Sequence, residues 1–319
     1  MSVATEFVLR PLHPGTGADA PRVYMVEDFA SASEVRDLRQ HAWSCLERKM
    51  DEAQEQRWLR FDLTPQPVVS DSIGSDNCPE PSEATELLAR IDERIGRLVG
   101  VPPHAGEEPM LVSLQQPGVT TEPFENLHHD KINGNKSRRS ATVLIYLSSC
   151  DDSEGGHTIF PALPPAEGAP VDPPALAAVE SSLRAAYERG TRALGCQACA
   201  QQAAGPSPSA AEAAELEHAH AHARDECERA RRGRSHALAV RPLAGAALVF
   251  WSTLSDGTPD PRMWHAGCLG VGGQRWLLQK FKQPLPGDAW EDAGGGQTTQ
   301  TAFMTATVDA AGGVVAHDT

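Results

Sequence analysis

The sequence has little positive charge and no long hydrophobic run. Its 28 Lys and Arg residues stand against 43 Asp and Glu residues, which gives a net charge of −15. A nucleic-acid-binding surface needs Lys and Arg to neutralise phosphates, so this balance argues against such a function. No run of about 18 apolar residues occurs, which argues against a membrane-spanning helix. Neither a nucleic acid nor a membrane is therefore an expected partner.

Signals for secretion are also missing. The first ten residues do not combine a charged region with an apolar region behind it, as a signal peptide would. The seven cysteines are an odd number scattered through 319 residues, which does not suggest a full disulfide framework. We therefore expect a cytoplasmic protein by default, and a secretory location stays open if this sequence is part of a longer chain.

Two amphipathic helices are predicted in the first third of the chain. Ser31-Ala32-Ser33-Glu34 is a capping-box pattern, and apolar residues recur behind it at helical spacing, so a helix should run to about Arg48. A second apolar stripe follows Ser82 and ends at Gly100. Both stripes indicate helices that pack their apolar faces on one side of a sheet.

From Met110 onwards, short apolar runs with a period of two predict β-strands. The runs are Met110–Leu114, Ser140–Leu147, His157–Phe160, Ala237–Val240, Ala246–Trp251 and Trp276–Phe281, with an earlier one at Val23–Val26. Several short strands with wide gaps are typical of a double-sheet jelly roll or a barrel. The predicted fold class is therefore mainly β, with N-terminal helices packed on the sheets.

Residues 164–235 and the two ends of the chain interrupt this pattern. Residues 164–235 are rich in Ala, Pro, Glu and Arg, and we interpret them as an insertion that is partly helical and partly mobile. Two segments of it can be helical, with Ala faces that bury little: 175–189 and 210–232. Residues 1–20 are predicted to be a flexible lead-in and residues 286–319 a poorly packed tail, in which Thr301–Val308 could add an edge strand.

Three residues have the chemistry and spacing of a metal-ligand set. His128 and Asp130 are two positions apart, and alternate residues of a strand point to one face. His265 is distant in sequence, but another strand could bring it beside them. Two His and one carboxylate on one face of an octahedron leave three positions open, as in non-haem Fe(II) oxygenases. His129 is out of phase with this pair and should point to the opposite face.

Several motifs accompany these residues in a specific order and spacing. They are Arg139-x-x-Thr142-x-Leu144-x-Tyr146-Leu147, Gly155-Gly156-x-Thr158-x-Phe160-Pro161, Val240-x-Pro242-x-x-Gly245, Asp256-Gly257-Thr258-x-Asp260-Pro261-x-x-x-His265-Ala266-Gly267-Cys268 and Gly273-x-Arg275-Trp276. In this order they closely resemble the prolyl 4-hydroxylases, most of all the plant and algal type. That family consists of 2-oxoglutarate- and Fe(II)-dependent dioxygenases with a double-stranded β-helix fold. The resemblance assigns residues 21–163 and 236–285 to a dioxygenase domain.

The resemblance also implies roles for individual residues. It makes three residues the iron ligands: His128, Asp130 and His265. Arg275 takes the position of the cation that binds the distal carboxylate of 2-oxoglutarate, where most members have Lys; its planar fork suits a carboxylate. Tyr146 is implied to contact the same carboxylate, and Thr142, on the same strand face, could line the same pocket.

The implied reaction is the hydroxylation of peptidyl proline, with Fe(II), 2-oxoglutarate, O2 and ascorbate, giving succinate and CO2. A Pro-containing peptide or protein is then the expected substrate. Two alternatives stay open: an oxygenase of the same iron class that acts on another amino acid or a small molecule, and a catalytically silent interaction module. Arg139 fits a structural ion pair and a substrate contact equally well. The family's Tyr-x-x-Gly segment is replaced here by Gln115-Gln116-Pro117-Gly118.

A second group of metal-binding residue types lies in the insertion. It consists of Cys196, Cys199, His218, His220, His222 and Cys227. On a helix, His218 and His222 share a face, so two Cys and two His could close a tetrahedral zinc site. The alternative is a chance cluster in a low-complexity segment. The sequence also leaves open whether Cys227 pairs with Cys268 or stays a thiol.

Overall fold

The described part of the chain consists mainly of β-strands. The computed structural model describes residues 7–12, 20–50, 58–62, 82–105, 107–115, 124–132, 139–165, 173–188, 193–194, 209–254, 258–283, 306–308 and 314–316. The strands are β1 (Leu9–Pro11), β2 (Val23–Val26), β3 (Trp58–Asp62), β4 (Leu111–Gln115), β5 (Phe124–His128), β6 (Ala141–Tyr146), β7 (Thr158–Phe160), β8 (Ala193–Leu194), β9 (Leu238–Val240), β10 (Ala247–Trp251), β11 (His265–Cys268), β12 (Arg275–Lys282), β13 (Ala306–Val308) and β14 (Val314–Ala316). The helices are α1 (Ala32–Met50), α2 (Ser82–Val99), α3 (Pro173–Glu188) and α4 (Ala210–Arg231).

These strands form two antiparallel sheets. The large sheet has the order β13-β14-β1-β2-β10-β6-β12-β4-β3, and the small sheet has the order β8-β5-β11-β7-β9. In the large sheet β6 is central, because it pairs with β10 on one side and with β12 on the other. In the small sheet β11 is central, between β5 and β7.

Alternation along the strands explains why the two sheets face each other. On β10, Leu248 and Phe250 belong to a buried cluster that also contains Phe160 of the small sheet. Val249 and Trp251, the residues of opposite phase, belong to a separate cluster with the N-terminal helices. The large sheet is therefore apolar on both faces, with the small sheet on one side and helices on the other. This layered β arrangement confirms the predicted fold class.

Helices α1 and α2 cover the outer face of the large sheet, as the apolar stripes predict. The capping box at Ser31 is present: the Ser31 backbone N–H donates to Glu34 Oε2 at 2.8 Å, and the Glu34 N–H donates to Ser31 Oγ at 3.2 Å. Arg94 of α2 donates to Glu34 at 2.7 Å and so joins the two helices. Leu38 and Ile91 are fully buried between the helices and the sheet.

Helices α3 and α4 cover the outer face of the small sheet. Val179 and Leu183 of α3 and Ala219 and Ala223 of α4 are buried in one cluster with Ile159 of β7. The sequence predicts that these Ala-rich faces bury little, and each alanine does bury only a small area; what the sequence did not predict is the packing of the alanine face of α4. Its small side chains let the helix approach the sheet closely, and they are fully buried there.

Two connections hold α4 to the core. A disulfide joins Cys227 of α4 to Cys268 of β11, which settles the pairing that the sequence left open. The buried Glu226 carboxylate accepts hydrogen bonds from the backbone N–H groups of His236 and Ala237 at 2.7 and 3.2 Å. The end of α4 is therefore fixed where the chain returns to β9.

Short edge strands occur within both predicted terminal segments. In the predicted lead-in, Leu9–Pro11 form β1, which pairs with β2, and Leu9 is fully buried. In the predicted tail, β13 overlaps the expected edge strand and pairs with β14, which in turn pairs with β1. These parts of both ends therefore belong to the large sheet. Within the described ranges, no helix combines the length and the apolar character that a membrane span requires.

Candidate metal centre

His128, Asp130 and His265 converge at one end of the small sheet. His128 is the last residue of β5 and His265 the first of β11, and these strands pair so that the two residues are directly opposite. Their imidazole rings are therefore neighbours, with centroids 4.4 Å apart. Asp130 lies beside them too, but, contrary to what the His-x-Asp spacing suggests, it is not on the strand. The strand ends at His128, and Asp130 begins a 3₁₀ turn, Asp130–Ile132, that directs its carboxylate back towards the histidines.

The distances within this group suit a single metal ion. One ligand atom from each of the three residues can be chosen so that all lie within 4.8 Å of one another. His128 Nε2 is 3.5 Å from Asp130 Oδ1, and His265 Nε2 is 3.6 Å from Asp130 Oδ2. Within the described ranges this is the single cluster of three or more His, Cys, Asp or Glu residues with such spacing.

The Asp130 carboxylate has one satisfied oxygen and one unsatisfied oxygen. It is fully buried, and its Oδ2 atom accepts a hydrogen bond of 2.6 Å from Thr142 Oγ1. Its Oδ1 atom has no hydrogen-bond partner among the described residues. A buried carboxylate oxygen without a partner is costly, and coordination to a metal ion would satisfy it. The donor set therefore fits a divalent transition metal such as iron.

The histidines present the nitrogen atoms that a metal requires. His265 Nδ1 lies 3.0 Å from the carbonyl oxygen of Met263, so Nδ1–H donates to that carbonyl and Nε2 keeps its lone pair. Burial lowers the pKa of His265 to about 4, so the ring is neutral at neutral pH. Burial alone would raise the pKa of Asp130, but the nearby His265, His128 and Arg139 outweigh this effect and hold it below its ordinary value. Neutral imidazoles and an ionised carboxylate are the ligating forms.

One side of the centre is accessible and the other is enclosed. The His128 side chain is 26% exposed, whereas that of His265 is 4% exposed. The His265 ring contacts Phe250 and Phe160, whose ring centroids lie 4.7 and 5.7 Å away. Approach from solvent is therefore on the His128 side, and the interior side is apolar.

His129 lies on the opposite face, as the sequence predicts. It is fully buried, its Nε2 donates to the carbonyl oxygen of Asp260 at 2.9 Å, and its Nδ1 accepts from the Lys131 backbone N–H at 3.2 Å. Both ring nitrogens are thus used in packing the turn. Its ring is not part of the metal-ligand cluster.

A buried cationic group lies between the sheets, where Arg275, Thr158 and Tyr146 meet. Thr158 Oγ1 is 3.1 Å from an Nη of Arg275 and 2.9 Å from the Tyr146 hydroxyl. Arg275 is 2% exposed, and its Nε has no hydrogen-bond partner among the described residues. Burial raises the pKa of Tyr146 to about 12, so this phenol stays protonated and can donate. The group can bind one carboxylate.

Gly156 makes room for this arrangement. Its φ of +75° is in the region that favours glycine, and a Cβ there would lie 3.3 Å from Arg275 Cδ. Gly156 therefore leaves space for the Arg275 side chain to pass the backbone. Thr158, two positions later, was not singled out by the sequence; its place in the same motif, at a buried strand position, is the signal that could have found it.

Arg139 and Thr142 have partners that separate them from this cationic group. Arg139 forms a bidentate pair with Glu108, with Nε 2.7 Å from Oε1, and its guanidinium lies 3.5 Å from the ring centroid of Phe281. The structural ion pair is thus the interpretation of Arg139 that the contacts favour. Thr142 gives its hydroxyl to Asp130, so its predicted contact with 2-oxoglutarate stays a prediction. Glu108 was not predicted, because no local pattern links it to Arg139.

The zinc hypothesis for the insertion loses one of its ligands. Cys227 is bonded to Cys268 and cannot act as a thiolate. His218 and His222 lie on α4, while Cys196 and Cys199 lie outside the described residues. Any zinc site would therefore need Cys196 and Cys199 together with the helix histidines.

No protein-family model matches this chain, but individual known proteins do. The chain is similar to plant prolyl 4-hydroxylases. It is 27% identical to probable prolyl 4-hydroxylase 8 of Arabidopsis thaliana over 197 residues, which cover 61% of this chain and 48% of the relative. It is 28% identical to probable prolyl 4-hydroxylase 10 of the same plant, again over 61% of this chain and 48% of the relative. The predicted resemblance is therefore confirmed, and the chain spans about half the length of these curated relatives.

Similarity to solved structures is low. The viral collagen prolyl hydroxylase from Paramecium Bursaria Chlorella virus-1 is 12% identical, with a TM-score of 0.41 over 81% of this chain and 94% of that chain. A Pseudomonas putida prolyl-4-hydroxylase is 15% identical, with a TM-score of 0.38 over 83% of this chain and 94% of that chain. TM-scores below 0.5 add nothing to what the strand pairing and the site geometry establish.

Proposed function

We propose that this chain is an Fe(II)- and 2-oxoglutarate-dependent dioxygenase that hydroxylates proline in a peptide or protein. One observation carries the proposal: a triad of two His and one Asp lies in the same fold as a buried arginine that has no counter-ion among the described residues. A metal-ligand set with open positions suits an oxygenase, and the arginine suits a dicarboxylate cosubstrate. Neither feature alone would select this class.

His128, Asp130 and His265 would hold the iron on one face and leave three positions to other ligands. The bond from His265 Nδ1 to the Met263 carbonyl fixes the ring orientation. Phe250 and Phe160 beside the His265 ring exclude water from the interior side. Bound iron, with 2-oxoglutarate and O2, supplies the chemistry that inserts one oxygen atom into a C–H bond and leaves succinate and CO2.

Arg275 would bind the carboxylate of 2-oxoglutarate that is farther from the iron. No carboxylate of the described residues lies within ion-pair distance of its guanidinium, although the side chain is almost fully buried. A buried cation without a counter-ion is costly, and a bound anion offsets that cost. Thr158 and the protonated Tyr146 lie beside it and can donate to the same carboxylate.

Peptidyl proline is proposed as the substrate on the strength of similarity. The curated relatives are named as prolyl 4-hydroxylases. A Pro-rich segment in the polyproline II conformation also binds with little ordering cost, and the partly exposed side of the centre at His128 is where it would approach. Ascorbate is proposed as a further requirement, since the family resemblance implies it.

The proposal can be tested by incubating the purified chain with Fe(II), 2-oxoglutarate, ascorbate and a Pro-rich peptide. We expect succinate in amounts that match the peptide molecules that gain one oxygen atom. With a peptide in which every Pro is replaced by Ala, we expect neither peptide-dependent succinate nor a gain of one oxygen atom. The variant His265→Ala should be inactive, whereas His218→Ala, an exposed histidine on α4, is the matched control and should keep activity.

The outcomes separate the remaining functions. Turnover of 2-oxoglutarate that no Pro-containing peptide stimulates would indicate an oxygenase with another substrate. Absence of both turnover and metal binding would contradict the proposed function and leave an interaction module.

A further inference from the structure

We propose that Thr142 is a positioning residue that makes Asp130 bind the metal through Oδ1 alone. The inference rests on the proposed function, because it concerns how the metal is held. It gives Thr142 a role different from the contact with 2-oxoglutarate that the sequence predicts. Three features of the site support this role: the hydrogen bond between Thr142 and Asp130, the rigidity of its donor, and the surroundings of the other carboxylate oxygen.

The hydrogen bond between Thr142 and Asp130 is short and buried. Thr142 Oγ1 donates to Asp130 Oδ2 at 2.6 Å, and both residues are fully buried. O–H···O⁻ bonds to a carboxylate are about 2.5–2.7 Å long and roughly twice as strong as bonds between neutral groups. This hydroxyl therefore occupies Oδ2 and competes with a metal for it.

The donor is held more firmly than the carboxylate it binds. Thr142 lies on β6, opposite Phe250 of β10 on one side and Phe281 of β12 on the other. Its backbone is thus fixed by strands on both edges, and its branched side chain has few rotamers. Asp130 begins a turn of three residues and has no neighbouring strand. The orientation of the carboxylate therefore comes from Thr142.

The surroundings of Oδ1 leave that atom for the metal. An Nη of Arg139 lies 3.9 Å from Oδ1, which is close enough to stabilise the charge but too far for a hydrogen bond. Arg139 cannot move closer without leaving Glu108, which it grips with two nitrogens. Oδ1 is accordingly the buried oxygen without a hydrogen-bond partner among the described residues.

Binding through one oxygen matters for the chemistry of the site. A carboxylate that used both oxygens would occupy a fourth coordination position. Three open positions are needed for a chelating keto acid and O2. By holding Oδ2, Thr142 keeps those three positions available.

A metal titration of the full chain without substrate tests this inference. Thr142→Val removes the hydroxyl at nearly constant shape, and Thr142→Ser keeps it. We expect Thr142→Val to weaken Mn(II) binding by about 10- to 100-fold, the usual cost of losing such a partner. Thr142→Ser should bind within a few-fold of the unmodified chain. Thr253→Val is the matched control, because Thr253 is also buried but donates to neither the triad nor its partners.

Unchanged Mn(II) affinity in Thr142→Val would overturn the inference. If that variant does not fold, a crystal structure of the unmodified chain with Mn(II) decides instead. We expect the metal on Oδ1 and the Thr142 bond to Oδ2 intact, and a metal bound by Oδ2 or by both oxygens would overturn it. The titration uses no substrate, so its result is independent of turnover. A chain that binds Mn(II) as expected but turns over no 2-oxoglutarate would contradict the proposed function and still support the role of Thr142. A chain that binds no metal would end both.

Discussion

Asp130 and Glu107 are both almost fully buried, but their surroundings differ. The side chains of Asp130 and Glu107 are 0% and 2% exposed. Glu107 has two ammonium groups beside it, Lys282 Nζ at 2.6 Å and Lys280 Nζ at 3.1 Å. Asp130 has a hydroxyl, two imidazoles and, at 3.9 Å, an arginine that already pairs with another acid.

The difference distinguishes a structural charge from one that requires a ligand. A buried charge costs several kcal/mol unless an opposite charge compensates it. The charge of Glu107 is compensated within the protein, whereas Asp130 lacks one cation. Arg275 is the opposite case: it is a buried cation with no acid within ion-pair distance among the described residues. A metal cation bound at Asp130 and an anion bound at Arg275 would compensate these two buried charges. An iron site with a carboxylate cosubstrate supplies both.

Replacing Asp130 should have the largest effect. Asp130→Asn removes the charge and the anionic ligand together, so the loss of Mn(II) affinity should exceed the roughly 100-fold effect of losing an outer partner, and activity should disappear. The metal-free variant should melt close to the unmodified chain, since no protein cation depends on Asp130 alone. Calorimetric titration and thermal unfolding measure both quantities. Retention of the original Mn(II) affinity would contradict the distinction drawn between the two acids.

Replacing Glu107 should lower stability and leave metal affinity unchanged. Glu107→Gln leaves Lys282 fully buried without an acid at ion-pair distance among the described residues, so the free energy of unfolding should fall by about 3–5 kcal/mol, while the folded fraction keeps its Mn(II) affinity. Burial holds the pKa of Lys282 below its ordinary value, and Glu107 opposes this shift. Because the folded state releases the Lys282 proton more readily than the unfolded state, the loss should shrink as pH rises. Urea unfolding at several pH values measures it, and a loss below about 1 kcal/mol would show that the pair is not structural.

The comparison also explains what the sequence could and could not predict. The convergence of His128, Asp130 and His265 was predictable because few residue types serve as metal ligands and their spacing is restricted. The ion pairs of Glu107 were not predictable, since a long-range pair leaves no local pattern. The turn that carries Asp130 was missed because the His-x-Asp spacing fits one face of a strand, and nothing in that spacing shows that the strand ends at His128.

The same limit applies to the fold. Strand β2 has the predicted bounds, and β6, β10 and β12 of the large sheet differ from prediction by one residue at one or both ends, because buried alternation is a strong signal. The packing of α4 was missed, because alanine favours a helix whether or not the alanine face is buried. Its position became evident only from the contacts of Ala219 and Ala223 and from the Cys227–Cys268 bond.

Replacing Arg275 should affect the cosubstrate and leave the metal in place. Arg275→Gln removes the partner of a buried carboxylate, so 2-oxoglutarate should bind more weakly by about 2–5 kcal/mol, whereas Mn(II) affinity stays unchanged. Arg275→Lys keeps the charge but loses the planar fork, so its loss should be smaller. Titration of the Mn(II)-loaded chain with 2-oxoglutarate gives both values. Equal affinity in the unmodified chain and Arg275→Gln would remove the cosubstrate role from Arg275.

Replacing Glu34 should have the smallest effect on stability. This partly exposed acid pairs with Arg94 and so contrasts with the buried Asp130 and Glu107. Its bond to Arg94 lowers its pKa from 4.5 to about 2. A lowered pKa means that the unfolded state binds the proton first, so the pair stabilises the fold above about pH 4.5 and this contribution disappears as pH falls towards 2. Glu34→Gln keeps a capping-box side chain but loses the charge, so it should cost only about 1 kcal/mol at neutral pH. Urea unfolding should show the two chains converging at the acid end, and a difference that persists there would mean that Glu34 acts through packing and not through its charge.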